Sequence, residues 1–364
     1  MSDPRWAIEI DREDIATAAI VDDPAGALAP GEIEVRIDRF AITANNVTYA
    51  ALGKPVGLFP NGKGYWDFFS PGGEGPARLP VWGIATVTRS AAEGVAEGEA
   101  IYGYYPMASH VRLTPGRIGA AGFVDVAAHR AGMPAVYDQY QRVAALSDYA
   151  DADRDWWPVF RPLYLTGWLI ADQFEDECDY GAGQVIVASA SSKTAIGFAH
   201  AMRQRGDRPR LVGLTSERGR AFLADAGIYD QLVLYDAIDT MDAAIPAAFV
   251  DIAGDSAVTA ALHRHFGEAL KLILIVGKAH WDAIPGERFP ATGFFAPARI
   301  EKRVVDWGAA EFRARVAAAW THFLGDARAL FRIEVRNGAE GALDAYREAV
   351  AGRADPRVGI VIHP

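Results

Sequence analysis

The spacing of hydrophobic positions changes near residue 157. Before that point, apolar and polar residues alternate in short stretches divided by Gly, Pro and Asp. Ile33-Glu34-Val35-Arg36-Ile37-Asp38-Arg39-Phe40 has a period of two, which predicts a strand with one face buried. Residues 81–87 and 100–105 predict two further strands, with Glu97-Gly98-Glu99 as the turn between them. This half reads as a compact β-rich unit.

Beyond residue 157, continuous apolar runs alternate with helical spacing. A helix is predicted over 162–174, followed by the strand Gln184-Val185-Ile186-Val187-Ala188. Helices over 194–203 and 218–226 alternate with strands over 210–214 and 232–235, and strands over 248–252 and 272–276 continue the series. Strands apolar on both faces, alternating with helices, indicate a parallel sheet covered on both sides. The C-terminal part returns to mixed character, with a helix over 343–350 and a closing strand over 358–362. The expected class is α/β, with a β-rich domain over 1–156 and 325–364 and a doubly wound domain over 157–324.

Composition narrows the partners. The net charge of −11, with acids clustered over 175–179, argues against nucleic acid as the main partner, because phosphates are neutralised by Lys and Arg. Cys178 is the single cysteine, so no internal disulfide can form. The N-terminus shows no leader pattern, and no apolar run approaches the roughly 18 residues of a membrane span. A cytoplasmic protein with no membrane partner is expected.

The strongest local signal is 185–197, where a buried strand runs through small residues into a helix. Backbone N–H groups can approach a pyrophosphate only past small side chains, and the helix N-terminus adds partial positive charge. Gly-x-Gly-x-x-Gly is absent: Ser189, Ala190, Ser191, Ser192 and Ala195 stand in its region. Hydroxyls of Ser191, Ser192 and Thr194 can reach phosphate, and Lys193 adds a full charge. The same Ser/Thr cluster also reads as a helix cap. After the second strand, Thr215, Ser216 and Arg218 suit a 2′-phosphate, favouring NADP(H), although Glu217 keeps NAD(H) open.

In this order, the features resemble the medium-chain dehydrogenase/reductase superfamily, in its zinc-independent quinone-oxidoreductase-like branch. The matching segments are 41–49 with Gly53, 80–87, Gly98-Glu99-Ala100-Ile101-Tyr102-Gly103, Thr166-Gly167-Trp168, Val250-Asp251-Ile252-Ala253-Gly254, Leu274-Ile275-Val276-Gly277 and the C-terminal helix and strand near 352–362. Ser191-Ser192-Lys193-Thr194-Ala195 and Asn45-Asn46-Val47-Thr48-Tyr49 resemble the DUF2855 family. The resemblance implies a GroES-like catalytic domain beside a Rossmann domain, and frequently a homodimer. It also implies that Tyr235, Gly254, Val276 and Gly277 complete the dinucleotide site.

The family's zinc sites use cysteines that are missing here. His110, His129, His200, His263, His265 and His280 show no ligand spacing, and His263 and His265 do not share a helix face. No metal is expected. Carbonyl polarisation then falls to hydrogen-bond donors. Tyr49 is the first candidate, Asn46 can orient substrate or ribose, and Lys193 can act electrostatically; a packed helix-face aromatic is the competing reading of Tyr49. Aromatic residues in loop regions suggest a pocket for a conjugated or aromatic carbonyl compound, with Tyr65, Trp66, Tyr104, His110, Tyr137, Tyr140 and Phe294 as lining. Packing at an interface explains the same residues equally well. The expected function is an NADP(H)-dependent oxidoreductase. A redox-neutral lyase or isomerase with bound nicotinamide, and a non-catalytic dinucleotide-binding protein, are the alternatives.

Overall fold

The computed structural model describes residues 5–54, 59, 62–70, 73–277 and 289–364; His280 and the first four residues of the N-terminus lie outside them. The chain divides into two compact units, Met1–Phe160 with Arg332–Pro364, and Arg161–Phe331.

Among the described residues, the first unit is built on a nine-stranded sheet. Its central strands Ile33–Ile42, Pro80–Ser90 and Ala100–Pro106 pair antiparallel. Ile33, Val35 and Ile37 are buried and Arg36 is exposed, as the period of two requires. Glu34 breaks the pattern: it is buried because Arg5 grips its carboxylate with two hydrogen bonds of 3.2 and 3.0 Å. At the C-terminus, Arg332–Asn337 and Val358–His363 pair in parallel, joined by the crossover helix Gly338–Val350. Val358–His363 then pairs antiparallel with Ile33–Ile42, which returns the end of the chain to the first unit.

The second unit holds six parallel strands among the described residues. Their spatial order is Gln231–Leu234, Arg210–Thr215, Gln184–Val187, Ala247–Asp251, Leu270–Ile275, Thr292–Gly293. Counted along the chain this is 3-2-1-4-5-6, the doubly wound order, which reverses direction between Gln184–Val187 and Ala247–Asp251. The core joins Ile186, Val212, Leu214, Phe249 and Ile273 from the strands to Leu262 and Phe266 from the helix Ser256–Phe266.

Ahead of the C-terminal helix and strand stand two helices that the spacing does not predict, Ala296–Trp307 and Ala309–Leu330, which meet at Gly308. Phe312, Val316, Trp320, Phe323, Leu324 and Ala327 form one buried stripe on the longer helix, diluted in sequence by exposed Ala, Arg and Glu. Ala296–Trp307 is anchored by charge. Arg299 and Arg303 each donate to the buried Asp172 carboxylate, at 2.7 and 2.8 Å.

Asp172 belongs to the helix Trp156–Asp176, which packs tightly on the helix Lys193–Arg203. A Cβ at Gly167 would lie 2.4 Å from the Phe198 nitrogen and 2.7 Å from the Thr194 oxygen. Directly after this helix, Cys178, Asp179 and Tyr180 hold φ of 49°, 52° and 54°, and Gly181 follows at 71°. Left-handed backbone costs an L-residue roughly 1–2 kcal/mol. Arg205 holds this turn by two hydrogen bonds to Asp179, and Gln173 donates to the Tyr180 hydroxyl at 2.7 Å. Among the described residues, no helix is long and apolar enough to cross a membrane.

Candidate functional site

Ligands of doubly wound sheets bind at the carboxyl ends of the strands, where the strand order reverses. Here that edge carries the turn 188–192. Ser189 adopts φ 49°, a conformation that glycine meets without strain and that an L-serine must be held in. Its backbone N–H donates to the Tyr235 hydroxyl at 2.9 Å, and the Tyr229 hydroxyl donates to the Ala190 oxygen at 3.0 Å. Two tyrosines thus fix the turn that glycines usually form.

Ser192 is the cap of the helix Lys193–Arg203, its hydroxyl accepting from the Ala195 nitrogen at 3.2 Å. Its side chain is therefore committed to the helix. Ser191, Lys193 and Thr194 are part-exposed around the same helix start, and Ala195 is buried beneath it. The Lys193 ammonium lies 5.8 Å from the Phe331 ring centre.

At the end of the neighbouring strand, Thr215 is buried and Ser216 and Arg218 are exposed. Ser216 precedes the helix Glu217–Ala226 and makes no side-chain cap. Across the switch point, Asp251 is buried at the end of its strand and accepts from the Gly254 nitrogen at 2.8 Å. Burial, opposed by hydrogen bonds from the Gly254 and Ala253 backbone, raises its pKa to about 6. Sequence reading passed over this residue, because an acid closing a strand is an ordinary turn signal. Gly254, Val276 and Gly277 are part-exposed on the same edge.

In the first unit, Thr43 caps the helix Ala44–Ala51, which presents Asn46 and Tyr49 to the interior. Asn46 is held at both ends of its amide. Its oxygen accepts from the Thr43 nitrogen at 2.8 Å, and its nitrogen donates to the Pro80 oxygen at 3.0 Å. Tyr49 joins a cluster of rings with Tyr65 (4.4 Å between centres), Tyr104 (5.7 Å) and, through Tyr104, Tyr137 (4.9 Å) and Trp82 (4.9 Å). Trp82 Nε1 donates to the Tyr49 hydroxyl at 3.3 Å. An indole N–H only donates, so the phenol oxygen is the acceptor of this bond. The Tyr104 hydroxyl is buried and interacts with the Tyr49 hydroxyl. Burial raises the pKa of Tyr49, Tyr65, Tyr104 and Tyr137, so all four stay neutral hydroxyl donors.

Several expected lining residues stand elsewhere. Trp66 packs where a Gly53 side chain would be. Tyr140 stacks on Phe123 at 5.3 Å, His110 bonds to Ser109 at 3.0 Å, and Phe294 belongs to the second unit. All seven expected lining residues are buried, including Tyr104 and Tyr140, which lie on strands.

Solved structures with the same fold cover almost the whole chain. CurA from Vibrio vulnificus in complex with NADPH superposes with a TM-score of 0.62 at 13% identity, covering 98% of both chains. The quinone oxidoreductase from Coxiella burnetii gives 0.53 at 13% identity over 100% of both. The yhdH oxidoreductase from Salmonella enterica in complex with NADP gives 0.53 at 15% identity over 99% of both. No curated protein matches the chain. The fold is thus the GroES-like plus Rossmann architecture of medium-chain dehydrogenase/reductases. The model of a protein family of unknown function, DUF2855, matches residues 40–355, and the chain belongs to that family.

Proposed function

We propose that this protein is an NADP(H)-dependent oxidoreductase acting on a conjugated or aromatic carbonyl-type small molecule. The observation that carries the reading is the carboxyl edge of the 3-2-1-4-5-6 sheet, where the turn 188–192 opens onto a helix start bearing Ser191, Lys193 and Thr194. Structural neighbours crystallised with NADPH and NADP support it.

The residues present fit a dinucleotide. Ser191, Thr194, Lys193 and the first backbone N–H groups of the helix would hold the pyrophosphate, while Ser216 and Arg218 would hold the 2′-phosphate. Thr215 and Tyr235 support these residues from behind, since one is buried and the other is bonded to Ser189. The nicotinamide, when bound, supplies or accepts the hydride. Tyr49 donates a hydrogen bond to the substrate oxygen, while Trp82 donates to the Tyr49 oxygen. With its pKa raised by burial, Tyr49 polarises the oxygen better than it gives up its proton. A homodimer belongs to the same reading, and sedimentation measures it.

The test is a titration with NADPH and NADH followed by turnover of an enone and quinone panel, read as loss of the reduced-nicotinamide absorbance. Preferential NADPH binding that Arg218→Ala removes, with turnover of at least one enone or quinone, is the expected result. Absence of turnover with both oxidised and reduced cofactor across the panel rejects the proposal.

A further inference from the structure

Three side chains of metal-ligating type in the second unit converge away from the dinucleotide edge. His200 lies on the helix Lys193–Arg203, about 12 Å along its axis from the cap Ser192 at 1.5 Å per residue. His322 and Asp326 lie four residues apart on Ala309–Leu330, which places them on one helix face. His322 Nδ1 is 3.1 Å from His200 Nε2, and an Asp326 carboxylate oxygen is 3.3 Å from the same nitrogen. The three ligand atoms lie within 4.8 Å of one another.

We propose that His200, His322 and Asp326 bind one zinc-class divalent cation, with water completing its coordination. Two imidazoles and a carboxylate are a zinc donor set, and bonds of about 2.0–2.1 Å place tetrahedral ligands about 3.3 Å apart. The two separations from His200 Nε2 match that edge. Proton bookkeeping points the same way. A neutral imidazole has one proton for two nitrogens, and a carboxylate has none. His200 Nε2 therefore faces two atoms with lone pairs, and a single proton there serves one of them well. A dication satisfies all three.

The site is built on one side and open on the other. His200 is buried, its ring held edge to face with Phe323 at 5.2 Å and Tyr164 at 5.7 Å. His322 and Asp326 are exposed, so an ion reaches the site from solvent. The His200 Nδ1 is buried with no hydrogen-bond partner among the described residues. Metal-bound histidines gain about 10–100-fold in affinity from such a partner, so this site binds more weakly than a fully supported one. Bound metal would tie the helix that starts at the phosphate turn to the long helix Ala309–Leu330. The pairing escapes sequence spacing because 122 residues separate its two histidines.

The test titrates the chelator-stripped full chain with Co2+, read by its d–d absorption, and displaces it with Zn2+. One ion per chain is expected, with affinity reduced at least about tenfold in His322→Ala and in Asp326→Ala. Both residues are exposed, so their variants keep the fold, which circular dichroism and an unchanged NADPH titration verify. Zn2+ should also raise the melting temperature of the wild type and not of His322→Ala. Identical isotherms for wild type and His322→Ala, or no saturable binding at one ion per chain, overturn the proposal and leave a hydrogen-bonded histidine pair.

Discussion

Replacing Gly167 by alanine tests whether the seat of the phosphate turn depends on two helices in backbone contact. The added Cβ would meet the Phe198 nitrogen at 2.4 Å, the Thr194 oxygen at 2.7 Å and the Gly197 carbon at 2.8 Å. All three are backbone atoms, so no side chain can swing aside and the helices must separate by most of an ångström. Overpacking of this kind costs about 1–3 kcal/mol, and contact with rigid backbone places it at the upper end. Alanine regains about 1 kcal/mol of helix propensity over glycine, which leaves a net loss of about 2 kcal/mol. Gly197→Ala is the internal control. Its Cβ would come no closer than 3.2 Å, to the Tyr164 Cα, while the propensity gain is the same. Its net effect is therefore near zero. At about 2–4 °C per kcal/mol for a unit of this size, Gly167→Ala melts about 4–8 °C below Gly197→Ala by calorimetry. It also weakens NADPH binding, because Thr194 sits at the displaced helix start. Equal melting temperatures for the two variants would refute the reasoning.

Further outcomes follow from the same geometry. Tyr235→Phe leaves the Ser189 N–H without its acceptor, which costs about 1–3 kcal/mol in denaturant titrations and loosens NADPH binding. Asp172→Ala removes the buried carboxylate that Arg299 and Arg303 share but leaves both paired to Asp176 and Arg303 to Asp306, so the loss in denaturant titrations stays below the about 3–5 kcal/mol of a fully unpaired buried charge; a loss of that full size would show that the remaining pairs do not hold without Asp172. Asp251, with its pKa raised to about 6, binds its proton more tightly folded than unfolded. Its favourable contribution is full below the unfolded value and lost as pH rises through about 6. Asp251→Asn should therefore gain up to about 3 kcal/mol on wild type between pH 4 and pH 8, and a pH-independent difference contradicts the assignment. Tyr49→Phe should lower kcat with the NADPH dissociation constant unchanged; a fall in NADPH affinity instead would make Tyr49 structural.

The parallel sheet was legible because strands buried on both faces read as unbroken apolar runs, and 184–188, 210–214 and 248–252 fall within a residue or so of the observed strands. The helices of 296–330 were not, because their buried stripe is narrow and separated by alanines and charges. Glu34 shows a different limit. Period two places it toward solvent, and the distant Arg5, with Arg89 beside it, turns it inward. Within the site, the helix start at Lys193 is written in adjacent residues, whereas the Trp82–Tyr49 hydrogen bond and the Asp251 environment arise from segments far apart in the chain. Local spacing carries the first kind of information and none of the second.

The left-handed turn that follows Trp156–Asp176 has a practical consequence. It begins at Cys178, which is exposed and is the single thiol of the protein. A maleimide dye therefore attaches at one defined position without mutagenesis, on a backbone pinned by Arg205 and Gln173. A label so restrained reports rotation of the body that carries it instead of its own tumbling. Cofactor and substrate binding can thus be followed by polarisation at a single site, in the unmodified sequence.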